Sequence, residues 1–219
     1  MSQTTAPKIS ILGDGISTFA GYTLPVASIY SPSYASYSGF DTAEGTWWMQ
    51  AIQKVGGVFL RNSSSAGSYV SYKGHYSAAL PGRIRVLATE TEKPDVVLVY
   101  TGLNDAANDI ELPDFRRDYL EMLHNLRRFY PDAQIWVGTL CRGQEPILNR
   151  PYFIEPEHLE NFAPYNEIIR ECAQEVGVHV ADLAANGVTY ESVNGVHPTR
   201  DGMVEFADAW AKILKPALE

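Results

Sequence analysis

Cysteine is almost missing from this chain: Cys141 and Cys172 are the only two in 219 residues. Two are too few for a disulfide-built scaffold, and they lack the spacing of a metal site. Basic residues are the minority charge, 17 Lys and Arg against 26 Asp and Glu, for a formal net charge of −9. That balance offers no basic footprint to a phosphate backbone, so nucleic acid is not an expected partner. Long apolar runs are lacking too. None reaches the roughly 18 residues of a membrane helix, and the opening "MSQTTAPK" has no basic stretch followed by an apolar one. The expectation is a soluble protein with no membrane partner, located in the cytoplasm. Phosphate-binding fingerprints of the P-loop or dinucleotide type are also missing, and His75, His124, His158 and His179 form no pair at metal spacing. No metal and no cofactor is expected.

What remains is an ordinary globular composition, 45% apolar and 20% charged, at a length suited to one domain over residues 1–219. Short apolar runs alternate with longer amphipathic ones. The runs "KISIL" (8–12), "GVFLRN" (57–62), "DVVLVYTG" (95–102), "AQIWVGTL" (133–140) and "VHVADL" (178–183) read as strands. They are continuously apolar rather than alternating, as strands buried on both faces are. Helices are expected in "TWWMQAIQKVG", "LPDFRRDYLEMLHNLRRFYP", "PYNEIIRECAQEVG" and "TRDGMVEFADAWAKIL". The pattern predicts an α/β fold with about five parallel strands and helices on both faces. Ala20 to Ala43 reads as a long excursion of the kind that forms lids or site walls. Its aromatics, with Trp47 and Trp48 behind them, suit either an acyl or sugar-stacking wall or, for the two tryptophans, the core. No coiled-coil pattern specifies an oligomer.

In an open parallel sheet, ligands bind beyond the carboxyl ends of the strands. The residues there are Gly13-Asp14-Gly15 after the first strand, Asn62 to Gly67 after the second, and Gly102-Leu103-Asn104-Asp105 after the third. His197 stands in "NGVHPT" just before the last helix. Each piece alone has an ordinary structural reading: a Gly-Asp-Gly turn, a strand-to-helix connection, a helix cap. Together, at one edge of one sheet, they are parts of an acyl-transfer site. Backbone N–H groups near residues 15 and 67 and the Asn104 amide suit an oxyanion hole, and His197 suits a general base. A nucleophile is missing.

These blocks resemble the SGNH hydrolases, the GDSL-type lipases and esterases. "ILGDGISTF" is similar to their first block at Gly13, Asp14, Ile16 and Ser17, with Gly15 where their nucleophilic serine stands. Gly67, five residues after Asn62, resembles the glycine of the second block; Gly102, Asn104 and Asp105 match the third. His197 with Pro198 resembles the last, although the position of the triad acid holds Asn194. The resemblance implies a three-layer, flavodoxin-like fold and hydrolysis of a small-molecule ester or acylated sugar, with short acyl groups preferred. It also implies catalytic positions 15, 194 and 197, an oxyanion hole at Gly15, Gly67 and Asn104, and supporting roles for Asp14 and Asp105.

Glycine cannot form an acyl-enzyme. The expected activity of the chain as it stands is therefore close to none by the covalent serine route. Three accounts fit: an esterase whose serine has been replaced; a natural pseudoenzyme that binds an ester or acylated sugar without cleaving it; or a substitute nucleophile, for which Ser17 is the nearest candidate. Ser17 and Thr18 equally suit a cap or start of the first helix. Asp182 and Glu191 precede His197 and are the carboxylates available to stand in for the triad acid, although both also suit end-of-strand or loop roles. A flavodoxin-like nucleotide-binding module is the competing class.

Overall fold

The computed structural model of the protein describes residues 5–23, 27–146 and 162–218. Part of the 20–43 excursion and His158 lie outside the described residues. Five strands form the main sheet: β1 (Lys8–Gly13), β2 (Val58–Asn62), β3 (Val96–Tyr100), β4 (Gln134–Gly138) and, after the short β5 (Gly143–Pro146), β6 (His179–Ala181). The spatial order is β2-β1-β3-β4-β6, and every pairing is parallel. All five segments expected as strands are strands, the first one residue longer than expected and the other four trimmed by one or more residues. Residues of β3 are buried throughout because helices cover both faces, which removes the alternation a half-exposed strand shows.

The helices are α1 (Ala35–Ser38), α2 (Trp47–Lys54), α3 (Pro81–Arg85), α4 (Leu103–Ala107), α5 (Leu112–Phe129), α6 (Phe162–Val176) and α7 (Arg200–Leu218). Helix α2 packs with α7, and α5 packs with α3 and α6. Trp47 and Trp48 are fully buried. The Trp47 ring stacks on Trp210 of α7 at 5.2 Å, so the core reading of these residues is the correct one. Thr46 caps α2, its Oγ1 accepting from the Met49 N–H at 3.4 Å.

The sequence pattern does not announce three features that deliver the functional loops. Helices α3 and α4 have five residues each, too few to show a 3.6-residue period. A second, two-stranded sheet joins β5 to β7 (Tyr190–Ser192). The loop after β7 folds back through an antiparallel bridge between Ser192 and Pro198, which places His197 above the sheet's carboxyl edge rather than at the cap of α7.

Candidate active site

Chain order reverses in the sheet between β1 and β3, and the turn after β1 emerges at that switch point. Asp14 opens the turn: its N–H donates to the Tyr100 carbonyl at 3.3 Å and its Oδ1 accepts from the Ile16 N–H at 3.3 Å. Gly15–Ser17 then form one 3₁₀ turn, closed by the Thr18 hydroxyl donating to the Gly15 carbonyl at 2.7 Å. Close packing beneath requires glycine at position 13, where a Cβ would stand 2.6 Å from Ser17 Oγ.

That contact also settles where Ser17 points. Its side chain is fully buried, and its Oγ accepts from Trp47 Nε1 at 3.2 Å. Ser17 thus faces the α2 core as the last residue of a 3₁₀ turn, not the first of a long helix. Gly15 faces the other way. A Cβ built on it would lie 3.5 Å from His197 Nε2 and 3.1 Å from Ile29 Cγ1. Ile29 comes from the 20–43 excursion and is held there by its N–H donating to Thr18 Oγ1 at 2.9 Å.

His197 is 4% exposed. Asn194 Oδ1 stands 3.0 Å from its Nδ1 and accepts the His197 backbone N–H at 3.0 Å. Since a backbone N–H can only donate, the amide atom between these groups is the oxygen, and the neutral imidazole must carry its proton on Nδ1. Nε2, the nitrogen nearest Gly15, is then the acceptor. Burial pushes the imidazole down to about 4. The loop that holds the pair is rigidly tied: Val193 N–H donates to the His197 carbonyl at 2.8 Å and Gly195 N–H to Ser192 Oγ at 2.7 Å.

Neither alternative acid reaches the imidazole. Asp182 accepts from Arg170 Nε at 2.8 Å and from Thr139 Oγ1 at 3.0 Å; Arg170 holds it below the ordinary carboxylate range. Glu191 is bonded to the Thr199 hydroxyl. The position beside Nδ1 belongs to Asn194.

Gly67 and Asn104 complete the ring around Gly15. All three line one small cavity with Asp14, Leu103 and His197. Gly67 has φ +69°, a conformation that favours glycine, and a Cβ there would meet nothing within 4 Å. Neither the Gly15 nor the Gly67 N–H donates to another group among the described residues. The Asn104 amide is oriented by one N–H donated to the Ser68 carbonyl at 2.8 Å. Asp105 braces the same loop, accepting from the Val70 and Ser71 N–H groups at 2.7 and 2.8 Å; burial raises it to about 6. Burial likewise raises Asp14 to about 7 against the pull of the Ile16 N–H and, more weakly, Arg83.

Two residues here have no sequence signal. Ile29 sits in a stretch without periodicity. Arg83, 1% exposed, donates to the Gly13 carbonyl at 2.7 Å and to the Tyr76 carbonyl at 2.8 Å, fastening the β1 turn to the loop after β2. A five-residue helix gives no hint that its arginine points inward. Larger surface clefts beside Arg61 and Arg85 and beside α6 contain none of these groups. Among the described residues no cluster of His, Cys, Asp or Glu is arranged to hold a metal, and no helix is long and apolar enough to cross a membrane.

A parallel α/β sheet carrying a histidine, an asparagine and glycine N–H groups around one turn defines the class of hydrolases built on this edge of the sheet. Residues 11–204 match the model of the GDSL-like lipase/acylhydrolase family, and the chain belongs to that family, the SGNH hydrolases. Solved structures share the fold. A GDSL-like lipase-family protein from Bacteroides uniformis superimposes with a TM-score of 0.73 at 24% identity, over 97% of both chains. One from Bacteroides ovatus does so with 0.74 at 20% identity, over 97% of this chain and 100% of its own. A carbohydrate acetylesterase from Sinorhizobium meliloti has a TM-score of 0.69 at 12% identity, over 96% of this chain and 99% of its own. No curated protein sequence matches the chain.

Proposed function

We propose that this protein is a short-acyl ester hydrolase frame of the SGNH family in which Gly15 occupies the nucleophile position. It binds an ester, with an acetylated sugar or small alcohol as the preferred class, but does not form an acyl-enzyme. One observation carries the reading: the missing side chain at position 15 would project to within 3.5 Å of His197 Nε2, on an imidazole whose far nitrogen is bonded to Asn194. A nucleophile and its base are normally within hydrogen-bond reach with a third group behind the base. That geometry supports His197 and Asn194 as the second and third members, with position 15 lacking the reacting atom.

In this reading His197 is the base, Asn194 positions it, and the N–H groups of Gly15 and Gly67 with the Asn104 amide receive the oxyanion. Asp14 holds the turn and Asp105 the Asn104 loop. The tight cavity favours a small acyl group, as does the fold shared with a carbohydrate acetylesterase.

The reading is tested by Gly15→Ser on a short-chain aryl acetate. Turnover rises by on the order of 10³-fold or more over the glycine form, because loss of a serine nucleophile costs a comparable or larger factor in a related triad. A folded Ser variant that stays at the glycine rate refutes it. A second reading, a natural ester-binding pseudoenzyme, is favoured by the 3.1 Å approach of Ile29 to the position of a Cβ at residue 15. In that case the site is packed around glycine, and Gly15→Ser gains activity only when Ile29→Ala is added to remove the γ-carbon.

A further inference from the structure

We infer that the cavity at Gly15 lets a water molecule take the nucleophile's place, giving the glycine protein a slow, direct ester hydrolysis without an acyl-enzyme; this rests on the site reading above. About 20 Å³ is open to the centre of a water-sized molecule, so one water fits. Its walls are polar where a water requires partners. Nε2 of His197 lies on one side, the acceptor nitrogen of an imidazole that Asn194 fixes in the Nδ1–H form. Gly15, Gly67 and Asn104 lie on another. Ile29 lines the apolar side.

The step balances without any further reactant. Water oxygen attacks the acyl carbonyl carbon while Nε2 takes one of its protons, and the carbonyl electron pair moves to the oxyanion facing the N–H groups. When the tetrahedral intermediate collapses, the bond from acyl carbon to alcohol oxygen breaks, and the proton on Nε2 passes to that oxygen. The products are a free carboxylic acid and an alcohol. Asn194 orients the imidazole but does not neutralise the transient imidazolium, so this route is slow.

The experiment compares four proteins on a short-chain aryl acetate, each with and without a serine-directed phosphonate: the glycine protein, Gly15→Ala, His197→Ala and Gly15→Ser, the last read for activity without it. A methyl at position 15 fills the space a water would use and leaves the N–H groups in place. The glycine protein is expected to turn over at a phosphonate-resistant rate that falls about a hundredfold, a typical general-base contribution, in both Gly15→Ala and His197→Ala. Equal rates for the glycine and alanine proteins overturn the inference, and so does a glycine-protein rate abolished by phosphonate. Gly15→Ser separates the two levels: if it is active while glycine and alanine do not differ, the esterase reading stands and the water route falls. If it is inactive as well, both fall.

Discussion

At the scale of single residues, the site turns on which proton His197 holds and what faces it. Asn194 Oδ1 is pinned by the His197 backbone N–H, so the amide cannot rotate to offer its NH₂ group and force the wrong tautomer. An asparagine here orients well and lacks only charge. Asn194→Asp in the Gly15→Ser background therefore gains about tenfold to a hundredfold in kcat, the difference between a neutral and a charged hydrogen bond, rather than the ~10⁴ seen where the tautomer is also lost. Burial holds the imidazole at about 4. Base catalysis needs it neutral, so the acid limb of kcat/KM for Gly15→Ser lies below pH 6.5, toward 4, and Asn194→Asp moves that limb upward. A pH–rate profile of the two variants checks both statements. The sequence puts Gly15 and Asn104 in turns after strands and His197 just before the last helix, and the fold brings these three candidates around one cavity. Ile29 and Arg83 were not legible in the sequence, since their roles come from contacts with residues far away in the chain.

At the scale of elements, the strands were readable because burial on both faces leaves them continuously apolar, and the long helices because one face is apolar at helical spacing. Short connectors carry neither signal. The β5–β7 pair and the Ser192–Pro198 bridge that lift His197 over the sheet are set by backbone pairing rather than by side-chain pattern. The 62–77 loop is another such case. Its register against α4 depends on the Asp105 carboxylate accepting from Val70 and Ser71. Asp105→Ala leaves two buried N–H groups unsatisfied and costs about 2–4 kcal/mol. Urea denaturation measures that loss, and hydrogen exchange shows it as faster exchange at the Val70 and Ser71 amides. Unchanged protection at both positions would contradict the assignment of Asp105 as the brace.

At the scale of the whole molecule, the alternation of apolar runs foreshadowed a five-stranded parallel sheet covered by helices, the residue blocks around Gly15, Asn104 and His197 foreshadowed the family, and the strand order had no signal in the sequence. What the alternation could not convey is how buried titrating groups share the stability. His197 is lowered on folding from 6.5 to about 4, so the unfolded chain binds more protons between those values. Its contribution is full above pH 6.5 and is lost as pH falls toward 4. Asp14 is raised on folding to about 7, with the opposite slope over much the same range. His197→Gln removes the first effect alone. Relative to the parent, it gains roughly 2 kcal/mol between pH 7 and pH 4.5, read from paired urea titrations. The central claim is the proposed one, that Gly15 stands where an esterase of this family has its nucleophile, facing His197. Intact mass of Gly15→Ser after exposure to a serine-directed phosphonate tests it most directly. The account predicts one phosphonyl adduct per chain on residue 15, none on the glycine protein and none on Gly15→Ser carrying His197→Ala; a folded Gly15→Ser protein that remains unlabelled would contradict it.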